Sequence, residues 1–516
     1  MRKALLAVSI SFIATGLNAQ IPEDAIRMSW ATPSGTARNQ AIGGVNASLG
    51  GDITSNFINP AGIALYRTSE VVFTPGYNFY NNKADYRGTN SGISGNNFMV
   101  GTSGFVFGIN DQYRANRSSA FSIAVNRSVN FNNHISYTGS NNYSSFSEGY
   151  AAEIANSGLS LDEALNSSNI SFPARMAIYT YLVDTLSMPG GMEVVGTPLR
   201  YAYKNDTAFI LNQANNIETK GGVTEIAISY GGNHNDKFYW GASLGIPILN
   251  YERNSTLTET DASSNDRNYF KSGTLHEFST TKGVGMNLKL GIIFKPVDNI
   301  RVGLALHTPT IYGLQETYDA TMETKLENYN EPTAVNVSTL NSNTLPVYKY
   351  DYTSPWKFMV SGSYVFHEVA DVKQQKGFIS ADLEYVTFSS NRFHNGEVDN
   401  IPIQDYYNAV NNVVKQIYKG AFNAKIGGEL KFNTLMARAG FAYYGNPYKD
   451  QQIKGDRLYI SGGLGYRNKG YFVDLTYVYR LTNDVSFPYR LTDKANTYAD
   501  INGAGGNVVM TVGMKF

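Results

Sequence analysis

Residues 284–294 read VGMNLKLGIIF, and their alternation decides the fold. Val284, Met286, Leu288, Leu290, Ile292 and Phe294 occupy every second position, with Asn287, Lys289 and Gly291 between them. Period two sends alternate side chains to opposite faces of a β-strand, so this segment has one apolar face and one polar face. The same pattern runs in both directions along the chain. Upstream stand Val71, Phe73, Tyr77 and Phe79, then Phe121, Ile123, Val125, Val129 and Phe131, then Phe238, Trp240, Ala242, Leu244 and Ile246. Downstream stand Ile300, Val302, Leu304 and Leu306, then Tyr418, Phe422, Ala424, Ile426 and Leu430, then Tyr471, Val473, Leu475, Tyr477 and Tyr479. In a soluble sandwich the second row would be densely charged surface. Here it carries Gly, Ser, Asn and isolated charges such as Asp382, Glu384, Lys425 and Arg438, as a barrel lumen does.

Strands of this kind begin near Glu70, Phe98, Ser119, Val223, Phe238, Gly283, Ile300, Trp356, Gly377, Tyr418, Met436, Arg457, Tyr471 and Gly505. They number fourteen, and single-chain outer-membrane barrels require an even number. Short connections at 232–236, 296–299, 431–434 and 468–470 alternate with long polar ones at 132–222, 250–281 and 310–354. Short turns at one end and long loops at the other are the barrel signature. The expected fold is all-β: a 14-stranded antiparallel transmembrane β-barrel over residues 69–516, with a long external loop at 131–222.

Composition agrees. The 516 residues include 49 Gly, 37 Tyr and only 16% charged residues, against about 25% in soluble domains. With 42 basic and 42 acidic side chains there is no basic excess, so no nucleic-acid partner is expected. Arg2 and Lys3, the apolar stretch 4–17 and the Leu17-Asn18-Ala19 site make residues 1–19 a secretory signal peptide. No later segment approaches the roughly 20 apolar residues of a membrane helix, so membrane residence must be as a barrel, in a Gram-negative outer membrane. Val508, Met510, Val512, Met514 and the terminal Phe516 form a last amphipathic strand ending on an aromatic ring. That ending resembles the signal by which barrel-insertion machinery recognises its clients.

Residues 20–68 lie outside the strand count. They contain Ala41-Ile42-Gly43-Gly44-Val45-Asn46-Ala47 and then Asn59-Pro60-Ala61-Gly62-Ile63-Ala64. Pro60 fixes φ, Gly62 permits a turn and Asn59 can bond its own backbone, so the second run either shapes a tight turn or closes the lumen. In order and position the two runs resemble the N-terminal plug of the FadL/TodX family of long-chain fatty-acid and aromatic-hydrocarbon transporters. The resemblance implies a hatch around Asn59, Pro60, Ala61 and Gly62, and a hydrophobic small-molecule ligand caught by external loops. It also implies release sideways into membrane lipid through a kink in the third strand. Asn126, Arg127 and Ser128 are the candidate kink, because Arg127 interrupts the apolar row of Phe121 to Phe131. Either Arg127 snorkels at the membrane interface or a bulge turns it inward. In the long external loop Met176, Tyr179, Leu182 and Val183 have helical spacing. They form either the loop's own core or an apolar landing face for the ligand.

Other classes fit less well. Gly241-Ala242-Ser243-Leu244-Gly245 spells a nucleophile elbow, but it sits inside an alternating strand with no helix after it. The six His are scattered without metal-ligand spacing, so neither catalysis nor a metal or other cofactor is expected. A receptor of about 22 strands would not fit the length. The alternative function is a FadL-like barrel acting as a structural or shuttle subunit of an outer-membrane secretion or assembly complex, with other outer-membrane proteins as partners.

Overall fold

The computed structural model describes residues 22–30, 33–110, 117–200, 209–263, 269–327, 333–367, 375–396 and 401–516. The stretch 1–19, expected as a signal peptide, lies outside the described residues. Fourteen antiparallel strands form the barrel. In chain order they are β1 (Glu70–Phe73 and Pro75–Tyr86), β2 (Thr89–Val100 and Ser103–Asn110), β3 (Ser118–Asn130 and Asn133–Asn141), β4 (Leu211–His234) and β5 (Phe238–Asp261). Then come β6 (Ser272–Val297), β7 (Ile300–His307 and Ile311–Lys325), β8 (Val347–Thr353 and Lys357–Phe366), β9 (Gly377–Val386 and Arg392–Asn395) and β10 (Ala421–Phe432). The last are β11 (Leu435–Tyr444), β12 (Arg457–Asn468), β13 (Tyr471–Ser486) and β14 (Ala499–Lys515). Each pairs with its sequence neighbour, and β14 closes on β1 through registers such as Val71↔Met514 and Gly76↔Val509.

Closure leaves no edge at the seam, and the outward row is apolar all round: Phe105, Ile123, Ile228, Trp240, Leu288, Val302, Val360, Leu383, Ile426, Ile460, Tyr477 and Met510 are exposed. A closed barrel with such a belt spans a bilayer as outer-membrane barrels do, because every spanning backbone group is paired and the wetted row faces the lumen. Phe516 ends the last strand, exposed, its N–H donating to the Ser69 carbonyl at 3.0 Å.

The strands run further than their apolar rows. β4 and β5 each have 24 residues and β6 has 26, whereas a bilayer is crossed in about 9–11. Their upper parts rise above the lipid. The long external loop therefore covers 142–210 rather than 131–222, since Asn133–Asn141 and the start of β4 are strand. The expected loops at 250–281 and 310–354 shrink likewise, because β5, β6, β7 and β8 continue into them. Above the membrane neither face must be apolar, so the alternation that marks a strand in the sequence fades.

Candidate functional site

The lumen is filled from below by residues 33–68, which run around the inside of the wall. Inward-facing glycines make room for them. A Cβ on Gly427 would lie 2.0 Å from the Ile42 carbonyl oxygen, and one on its cross-strand partner Gly440 would lie 2.0 Å from the Gly43 nitrogen. Gly303 meets the Ala47 backbone, Gly291 the Asn59 amide, Gly241 the Pro60 and Ala61 backbone, and Gly231 the Ala64 nitrogen. The apparent nucleophile elbow is thus part of this seat: Gly241 receives the turn, and Ser243 is buried inside a strand. Polar side chains fix the seated segment. The Asp382 carboxylate accepts the Asn46 and Ala47 N–H groups at 3.0 and 3.2 Å. Ser48 bonds Ser361 and Ser363.

Asn59 is completely buried and caps the short 3-10 turn Pro60–Leu65, its Oδ1 accepting the Ala61 N–H at 3.0 Å. Its Nδ2 donates to the carbonyls of Ala47, Ile292 and Leu304 at 2.5, 3.2 and 3.3 Å, tying two parts of the segment to β6 and β7. Pro60, Ala61 and Gly62 follow, buried, with Gly62 packed on the Gly50 backbone. An ionic latch sits opposite. Arg38 reaches Glu429 at 3.3 Å, and Arg438, its side chain fully buried, bonds both Glu429 and Asp474 at 2.6 Å. Replacing Asn59 by alanine removes the cap and three donor contacts. Loss of a buried cap is expected to cost about 1–2 kcal/mol in thermal unfolding.

Above this floor is an aromatic chamber. Val129, Phe131, Leu249, Tyr251, Tyr312, Tyr350, Tyr352 and Phe393 line it, joined from the loop helix Ile401–Ile417 by Tyr406, Tyr407 and Val410. The chain's own N-terminal helix α1 (Pro22–Ser29) occupies it, burying Ala25, Ile26 and Met28, with Trp30 just beyond. α1 is held at its margins. Arg457 lies over the Trp30 ring at 3.5 Å, Tyr352 donates to the Ala25 carbonyl at 2.9 Å, and Glu23 pairs with Arg490. Among the described residues the buried Tyr251 hydroxyl has no hydrogen-bond partner.

At chamber height the ladder between β2 and β3 ends. β2 and β3 pair only from Ser103↔Val125 downward. The upper part of β2 pairs with β1 alone, and Asn133–Asn141 of β3 pairs with β4 alone. That upper part of β3 packs instead behind the β1–β2 hairpin, with Asn82 bonding Asn133 at 2.7 Å and the Tyr86 and Tyr137 rings 5.1 Å apart. The β3–β4 register slips between Arg127 and Val129, with Ser128 as the extra residue. Asn126 marks the base of the gap, accepting from Thr102 at 3.1 Å. Arg127 stands level with Thr224 and Ile248 at the upper rim of the belt, its guanidinium on the Gly221 carbonyl. Arg127 thus stands beside the register slip.

The external-loop residues divide. Met176, Leu182 and Val183 are buried in the loop's own core with Phe146, Ile154, Phe270 and Met322, while Tyr179 is exposed. Three of the four thus offer no landing surface. Sequence reasoning missed the loop's anchor, Glu259, near the top of β5 and well above the apolar belt. It accepts from Ser145, the Phe146 N–H and Gln213 at 2.5, 2.9 and 2.6 Å. Burial pushes its carboxyl up to about 7, although these three donors act against the rise. A carboxyl raised on folding adds stability below its ordinary value, and that stability is lost as pH rises through about 7. Hydrogen-exchange protection around Ser145 and Phe146, corrected for intrinsic rates, should therefore be greater at pH 5 than at pH 8. Glu259→Gln, which keeps the bonds of the protonated form, should flatten the difference.

Comparison with known proteins places these features. No family model matches the sequence, and no curated protein matches it. Among solved structures, a Pseudomonas aeruginosa FadL homologue aligns over 95% of this chain and 100% of its own at 13% identity, with a TM-score of 0.53. The toluene transporter TodX of P. putida aligns over 94% and 99% at 13% identity, with a TM-score of 0.52. A closed fourteen-stranded wall, an N-terminal segment within it and near-complete mutual coverage give the chain the fold of the FadL/TodX barrels of the outer membrane.

Proposed function

We propose that this barrel takes up hydrophobic small molecules, such as aromatic hydrocarbons or long-chain fatty acids, from outside the cell and passes them sideways into the bilayer. Residues 33–68 act as the hatch, the aromatic chamber receives the molecule once α1 withdraws, and the gap above Ser103 and Val125 is the exit. One observation carries the reading: strand pairing fails at chamber height, where the chamber residues Val129 and Phe131 belong to the broken strand. Energetics favour that route. An apolar solute gains roughly 0.8 kcal/mol per buried methylene in the chamber and would lose it again on release into water, whereas exit into lipid preserves it. The structural neighbours, a FadL homologue and a toluene transporter, agree with this substrate class.

Stapling the base of the gap tests the proposal. The chain has no Cys, so Thr102→Cys with Asn126→Cys gives one disulfide where the native side chains meet at 3.1 Å. Oxidised protein should lose uptake of a labelled hydrocarbon by intact cells, and reduction should restore it, while heat-modifiable migration stays normal. Uptake that persists through oxidation would place the exit elsewhere or remove transport from the account.

A further inference from the structure

Between the hatch and the chamber lies a layer of charge that neither of them requires. Glu225 on β4 pairs with Lys289 on β6, both almost fully buried, and Asn287 donates to the same carboxylate at 3.0 Å. Glu384 on β9 accepts from Asn423 at 2.6 Å and faces Lys425 at 4.0 Å. His307 on β7 bonds the Ile58 carbonyl of the hatch at 2.8 Å. Lys357 on β8 stands between the two ion pairs, and both it and Lys289 line a cavity of about 80 Å³, room for roughly a few water molecules. The ceiling of that cavity is Met28 and Ser29 of α1, and its side is Ser128 and Val129 at the strand break.

We infer that this polar collar, and not the hatch alone, keeps hydrophobic cargo out of the periplasm and turns it toward the gap; the inference rests on the proposed lateral exit. An apolar molecule moving down would have to enter the cavity lined by Glu225, Lys289 and Lys357 and part the ion pairs around it without giving those charges a partner, which is costly in a buried site. At the same height lies the proposed exit, where β2–β3 pairing ends. The hatch stops ions and water, and the collar stops grease. Removing the hatch therefore opens an aqueous pore that hydrocarbon still does not use.

The test separates the two barriers. Full-length barrel, barrel lacking residues 20–62, and a milder opening by Arg38→Ala with Asn59→Ala are reconstituted between two aqueous compartments. Each is made with the native collar and with Glu225→Gln, Lys289→Met, Lys357→Met, Glu384→Gln and Lys425→Met together. Ion conductance and arrival of a pyrene-labelled hydrocarbon at an albumin sink are recorded. With the native collar, opening the hatch should raise conductance while hydrocarbon arrival stays at background. With the neutral collar, arrival should rise at least about tenfold, the scale of a single buried-charge difference. Hydrocarbon crossing the native collar as soon as the hatch opens would overturn the inference. So would a neutral collar that still excludes it in a barrel whose conductance shows the pore open. Should the deletion fail to insert, the point variants carry the same comparison. A charge reversal, Lys357→Glu, must also shift the open pore toward cations, and unchanged ion selectivity would mean that the path bypasses the collar. Failure of the lateral exit itself is read separately, from loss of delivery into cells in the disulfide experiment.

Discussion

Changing both Gly427 and Gly440 to alanine is expected to unseat the hatch and raise passive conductance in planar bilayers by on the order of 5- to 150-fold, the population shift that 1–3 kcal/mol produces. The two residues are directly paired on β10 and β11, and each added methyl would stand 2.0 Å from hatch backbone. Backbone atoms cannot turn aside as a flexible side chain can, and overpacking at such a contact costs about 1–3 kcal/mol. Gly362 supplies the control. It faces outward with nothing within 4 Å of an added Cβ, so Gly362→Ala should leave conductance unchanged. Unchanged conductance in the Gly427 and Gly440 variant would mean that the lumen is closed by other parts, such as the external loops.

Arg438→Met should destabilise the barrel by about 3–5 kcal/mol, the cost of breaking a buried ion pair from one side. Arg438 holds Glu429 and Asp474 at 2.6 Å in a buried site, and among the described residues its loss leaves Asp474 with Arg467 at 4.0 Å as its remaining ion pair. The unfolding midpoint in denaturant, followed by loss of heat-modifiable migration, measures the effect. Neutralising both carboxylates as well, with Glu429→Gln and Asp474→Asn, should recover much of the loss, because an uncompensated charge costs more than an absent pair. Recovery of stability without recovery of the closed state would separate the structural role of this network from its role in holding Arg38 of the hatch.

What the sequence disclosed follows from where water and lipid meet the chain. Segments such as 284–294 must place lipid on one side and a wetted lumen on the other, so their alternation is strict and readable. Above the bilayer that demand ends, and 133–141, 211–222, 250–261 and 272–281 continue as strand in a pattern indistinguishable from polar loop. Asn59 and Pro60 were legible because a side chain that caps its own turn is local chemistry. Gly241, Gly291, Gly303, Gly427 and Gly440 stand in the sequence at inward positions, and together they signal a wall that another backbone touches. Which backbone touches them is set by the closed fold. The chamber was not legible, because its rings come from strands far apart in sequence and from a helix at 401–417. Nor was its occupant: residues 22–29, PEDAIRMS, fell within the 20–68 span expected as the plug, and nothing local marked them as filling an aromatic cavity. Glu259 likewise joins residues more than a hundred positions apart, and only their meeting gives it a role.

In the proposed route, the chamber above the hatch receives a hydrophobic molecule by displacing α1. Trp30 reports on it directly, because the other two of the three Trp, Trp240 and Trp356, face outward from the wall. With Trp240→Phe and Trp356→Phe, all indole emission comes from Trp30, now buried beneath the Arg457 guanidinium at 3.5 Å. Titrating this variant in lipid nanodiscs with toluene or a long-chain fatty acid should give a saturable shift and intensity change as Trp30 leaves Arg457. Tyr251→Phe and Phe131→Ala should alter the midpoint of the titration. Emission that stays constant to ligand saturation of the lipid, in a barrel that still migrates as folded, would contradict the account.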